Sequence, residues 1–75
     1  MVTQVPLLKP KDVIRVFKKF GWLEARRPSG SHIILTKEGS ISTLSVPNHS
    51  EVARGTLRSL IDKSGLTIEE FLSEL

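Results

Sequence analysis

Two turn signals constrain the fold most. Pro28-Ser29-Gly30 and Lys37-Glu38-Gly39-Ser40 cut the middle of the chain into three short runs, Trp22 to Arg27, Ser31 to Thr36 and Ile41 to Val46. Clusters of Pro, Gly and Ser between runs rich in Ile, Leu, Val and Thr mark strands joined by tight turns. Loops this short cannot carry the long crossover that a parallel pair needs, so the three strands form an antiparallel meander. Along the second strand, period-two alternation sends Ile33 and Leu35 to one face and His32, Ile34 and Thr36 to the other. In the third strand Leu44 and Val46 look inward. A slip of one residue in the second strand would bury Ile34 instead, because three consecutive apolar residues do not fix the register by themselves.

The flanks read as helices. Pro10 suits a first helical turn, Val13, Ile14, Phe17 and Phe20 follow at helical spacing, and Gly21 supplies a left-handed stop. The opposite face of this helix gathers Lys11, Arg15, Lys18 and Lys19; such a stripe is either an ordinary solvated surface or a face for a polyanion. After Pro47-Asn48-His49-Ser50 the chain turns helical again, with Leu57, Leu60 and Ile61 on one face, Arg54 and Arg58 on another, and Gly65 as the stop. Gly55 argues for a turn over Ser50 to Gly55 and a helix capped by Thr56, since an interior glycine costs about 1 kcal/mol. Thr67 and Glu70 have the spacing of a capping box ahead of Phe71, Leu72 and Leu75, which marks a short last helix. The expected class is α+β: an αβββα domain over residues 1–75, a three-stranded antiparallel sheet with two helices on one face, and a helical tail.

Size and composition narrow the function. A chain of 75 residues supports one small domain that buries about 60% of the surface its unfolded form exposes. Cysteine is absent, which removes disulfides and thiolate chemistry, and two histidines make a poor zinc set. No metal or other cofactor is expected, and a reducing, cytoplasmic setting fits. No apolar stretch reaches the roughly 18 residues of a membrane span, and Met1 to Pro6 lacks the pattern of a signal peptide. Phosphate-binding loops, dinucleotide fingerprints and serine-triad spacings are also missing. All eleven basic residues fall within the first 64 positions against five acids, a balance of +6, while Glu69, Glu70 and Glu74 give the last eleven residues −3. A basic body favours a polyanionic partner such as nucleic acid.

Chemistry is expected at Gly30-Ser31-His32, where a tight turn meets the start of a strand close to Arg26 and Arg27. Imidazole moves protons near neutral pH, and an exposed one among cations is suited to work on a phosphate. Gly30 is either a plain turn glycine or a place where backbone amides approach an anion closely. His49 either completes an acid–base pair or serves as a turn or capping group. Trp22 either stacks on a base, worth about 1–3 kcal/mol, or covers an edge of the core.

The element order resembles the double-stranded RNA-binding fold. More specifically, the chain is similar from end to end to the HicA family of toxin ribonucleases from bacterial and archaeal toxin–antitoxin pairs. The resemblance rests on Lys9-Pro10-Lys11-Asp12-Val13-Ile14, Gly21-Trp22, Gly30-Ser31-His32-Ile33-Ile34, Val46-Pro47-Asn48-His49, Gly55-Thr56-Leu57-Arg58-Ser59-Leu60, and Gly65-Leu66-Thr67 with Glu70-Phe71. It implies an endoribonuclease that cleaves messenger RNA independently of the ribosome, with His32 as its catalytic residue, and a HicB-type antitoxin that covers the active site. On that reading Ser31, Gly30, Arg26 and Arg27 would support the transition state, and Lys11, Arg15 and Lys18 would hold RNA. Two other classes fit the residues: a non-catalytic RNA-binding module of the same fold, and an interaction protein docking through the helix from Leu57 to Ser64 and an exposed strand.

Overall fold

The computed structural model describes residues 5–25 and 32–75. Its elements are helix α1 (Pro10–Lys19), strands β1 (Leu23–Glu24), β2 (His32–Thr36) and β3 (Leu44–Pro47), and helices α2 (Arg54–Ser64) and α3 (Ile68–Ser73). The three strands form an antiparallel sheet in the order β1-β2-β3. The α+β class, the meander and the short last helix are therefore as the sequence predicts. The turn Pro28-Ser29-Gly30, together with Arg26, Arg27 and Ser31, lies outside the described residues.

Helix α1 starts at Pro10, whose missing N–H would be unsatisfied there in any case, and carries Asp12 in its first turn and Lys18 and Lys19 in its last. It ends in a Schellman motif. The Gly21 N–H donates to the Lys18 carbonyl at 3.1 Å and the Trp22 N–H to the Phe17 carbonyl at 3.2 Å, with Gly21 at φ 97°. That motif brings the residue after the glycine back onto the last turn, and Trp22 packs edge-on against Phe17 at 6.4 Å between ring centroids. Trp22 is 1% exposed, which excludes the base-stacking reading and leaves the core one. It belongs to the buried core cluster.

Strand boundaries shift from their expected places. β1 spans two residues, although pairing continues through the Ala25 N–H, which donates to the Ile34 carbonyl at 2.7 Å. β3 begins at Leu44 rather than Ile41, because the Ser40 hydroxyl donates to the Ser42 carbonyl at 3.3 Å and accepts from the Ser42 N–H at 3.2 Å, which holds the intervening chain in a bend. Ile41 is left fully exposed. The β2 register is the one that alternation predicts: Ile33 and Leu35 are buried, while His32, Ile34 and Thr36 face the other way.

Helix α2 begins at Arg54, not Thr56. Val52 is completely buried and its N–H donates to the Leu8 carbonyl at 2.8 Å, which fixes the chain up to Ala53 in an extended conformation. Ala53 then takes the N-cap position without a side-chain cap, and its carbonyl accepts the first helical hydrogen bond from Leu57 at 2.9 Å. Gly55 lies in the first turn. Gly65, in the left-handed conformation at φ 82°, ends the helix. Helix α3 opens on the capping box: the Glu70 N–H donates to Thr67 Oγ1 at 3.0 Å and the Thr67 N–H to Glu70 Oε1 at 2.8 Å.

One apolar core joins these elements. Val13, Val16 and Phe17 of α1 and Leu57, Leu60 and Ile61 of α2 pack with the inward strand residues Ile33, Leu35, Leu44 and Val46. Both long helices thus cover the same side of the sheet, and Phe71 of α3 closes the end of the core against Phe17. The segment before α1 is tied in by Val5, whose carbonyl accepts from Arg54 Nε at 3.1 Å.

Candidate nucleic-acid interface

The side of the sheet that none of the described helices covers carries His32. As the first residue of the central strand, His32 is exposed and pairs with Pro47 of β3. Alternation puts Leu23, Ile34, Thr36, Ser45 and Pro47 on the same side, because Leu23 pairs with Thr36 and Ser45 with Ile34. Leu23 is 65% exposed and Ile34 is half-buried. Around the imidazole the sheet therefore offers apolar and hydroxyl surface, and among the described strand residues on this side none but His32 is ionisable.

The cations of α1 gather elsewhere. An open cleft of about 450 Å³ lies between α1 and the helix-covered side of the sheet. Pro10 and Ile14 of α1 and Ile33 of β2 line it with apolar surface, while Lys11, Arg15, Lys18 and Lys19 supply positive charge. Glu24 of β1 and Asn48, just past β3, complete its lining. Their position follows from register: Glu24 is opposite Leu35, and Asn48 is two residues beyond the inward-facing Val46.

Two of the four cations are engaged at their edges. Arg15 approaches Asp12 Oδ1 at 3.5 Å, and Lys19 Nζ donates to the Glu74 carbonyl at 3.2 Å with its carboxylate 3.8 Å away. These pairs are about half exposed and compete weakly with water or an incoming anion. Among the described residues, Lys11 and Lys18 have no ion-pair partner.

The site residues expected from sequence thus divide into two groups. His32 stands on the open side, and Lys11, Arg15 and Lys18 stand in the cleft behind it. His32 and Ile33, neighbours in sequence, face opposite ways and link the two places. His49 is exposed two residues beyond Pro47, the strand partner of His32, and does not line the cleft. Ser31, Gly30, Arg26 and Arg27 lie outside the described residues. Glu24 and Asn48 were not singled out from sequence, since no local pattern shows that a strand's second residue and a post-strand amide will meet a helix's cationic stripe. The inward parity of Asn48, in step with Val46, was the one signal available.

Among the described residues, no helix is long and apolar enough to cross a membrane. No curated protein matches the chain. A family model described as the HicA toxin of bacterial toxin–antitoxin matches residues 10–66. The match runs from the first residue of α1 through the whole sheet and α2 to the residue after Gly65. On that match the chain belongs to the HicA toxin family, which gives it a toxin's role and an antitoxin as counterpart.

Proposed function

We propose that this toxin is an endoribonuclease that cleaves messenger RNA by metal-independent acid–base catalysis, with His32 as the general base. The observation that carries the reading is the position of His32, exposed at the start of the central strand on the side of the sheet that none of the described helices covers. A neutral imidazole there accepts the proton of a ribose 2′-hydroxyl. The 2′-oxygen attacks the adjacent phosphorus, the bond from phosphorus to the 5′-oxygen breaks, and a 2′,3′-cyclic phosphate and a 5′-hydroxyl result. The leaving oxygen takes up a proton, a role for which His49 is the second candidate. Ser31, Gly30, Arg26 and Arg27 are assigned to donating hydrogen bonds and positive charge to the phosphorane. Lys11, Arg15 and Lys18 are assigned to the flanking RNA backbone. No cofactor enters these steps.

The same reading makes the counterpart a HicB-type antitoxin that silences the enzyme in the cytoplasm by covering the open side. The apolar groups Leu23, Ile34 and Pro47 around His32 suit burial by a protein. Residues 1–75 act in this reading as one toxin domain.

End-labelled single-stranded RNA incubated with wild-type protein and with His32→Ala, both in EDTA, tests the proposal. Cleavage by the wild type alone, with cyclic phosphate ends, is the expected result. Equal behaviour of the two proteins would remove His32 from the mechanism and leave a binding module of the same fold.

A further inference from the structure

We propose that the cleft between α1 and the sheet is a subsite for one unpaired nucleotide flanking the cleaved bond, and that Asn48 and Glu24 set its base preference. This rests on the ribonuclease reading and deepens it. The volume, about 450 Å³, falls in the range of small-ligand sites, about 300–1,000 Å³, and leaves room for a nucleotide but not a duplex. The lining has the parts such a ligand needs. Ile14 and Ile33 give apolar surface for a base, and Lys11 and Lys18 give charge for the phosphates on either side. Asn48 and Glu24 are the two lining groups able to accept a hydrogen bond through a side chain.

That pair of acceptors carries the specificity argument. A carboxylate accepts and never donates when ionised, and an amide both donates and accepts. Exocyclic amino groups, present on adenine, cytosine and guanine and absent from uracil, match both. The apolar surface of Ile14 and Ile33 together with the lysines suits a base and its flanking phosphates, and an antitoxin segment in the cleft is the alternative that the test below separates. Because Ile33 follows His32 directly and Asn48 follows Pro47, the strand partner of His32, a strand bound at the imidazole has the cleft within its next few nucleotides.

The test uses binding by the full chain carrying His32→Ala, so that cleavage does not enter. Fluorescence anisotropy with equal-length single-stranded oligomers of A, C or U reads the base preference. Binding of A and C about 10-fold tighter than U is expected, the size of one good amide or carboxylate contact to a base. Adding Asn48→Ala or Glu24→Gln should bring A and C towards U while leaving U within about twofold. Both residues are exposed, and circular dichroism checks that each variant stays folded. Equal affinities for the three oligomers, or an unchanged preference in both variants, would overturn the subsite and leave the role of His32 intact. Loss of antitoxin binding in Asn48→Ala with RNA binding unaltered would make the cleft a protein-docking groove and equally overturn it. A preference that is present and lost as expected supports the subsite even if the cleavage assay sets His32 aside.

Discussion

Gly21 and Gly55 show how differently one residue type acts at two positions in a chain this small. Gly21 holds φ at 97° to close α1, a conformation that costs an L-residue about 1–2 kcal/mol. A Cβ there would also lie 3.3 Å from Lys37 Cε, the movable end of a side chain, so backbone strain is the larger effect. Gly55 sits in the first turn of α2 with ordinary helical geometry and nothing within 4 Å of where a Cβ would stand. Gly21→Ala is expected to destabilise by about 1–2 kcal/mol. Gly55→Ala is expected to stabilise by about 0.5 kcal/mol, mainly by restricting the unfolded chain. Urea titrations followed by the emission of Trp22, the single tryptophan, measure both. Equal shifts would mean that the helix stop at Gly21 does not depend on its left-handed geometry.

At the scale of elements, α1 does two jobs on two faces: Val13, Val16 and Phe17 enter the core, and Lys11 and Lys18 face the cleft. If those lysines contact RNA phosphates, Lys11→Gln with Lys18→Gln should flatten the salt dependence of binding. Each lost contact removes about 0.7 from the slope of log K against log salt for a single strand. A slope unchanged from wild type would return the stripe to an ordinary solvated face. The helix was legible in sequence because its apolar spacing, its proline and its glycine all agreed, and β2 because alternation fixed its faces. The start of α2 was not legible. Ala53 caps without a side chain, and what places it is the bond from Val52 to Leu8, a contact 44 positions away in sequence. For the same reason the cationic stripe could be read from the chain while its partners Glu24 and Asn48 could not. Only tertiary packing brings a strand residue and a post-strand amide against α1.

For the whole molecule, the acidic tail is structural as well as electrostatic. The family match ends at residue 66, yet Phe71 beyond it is completely buried, with its ring 5.0 Å from that of Phe17. A chain of this length is stable by about 4–11 kcal/mol at 0.05–0.15 kcal/mol per residue. Phe71→Ala, at about 3–5 kcal/mol for truncating a core aromatic, therefore removes a large part of that margin. Glu74→Ala is the informative contrast. It deletes the pairing of its carboxylate with Lys19, whose side chains are 46% and 45% exposed, and should cost less than about 1 kcal/mol. Thermal melts are expected to show Phe71→Ala partly unfolded at room temperature and Glu74→Ala melting within a few degrees of the wild type. A well-folded Phe71→Ala would mean that α3 merely rests on the molecule. If it unfolds, the nuclease reading must be tested on chains that keep this helix, because a chain shortened to the matched span would lose activity through its core rather than through His32.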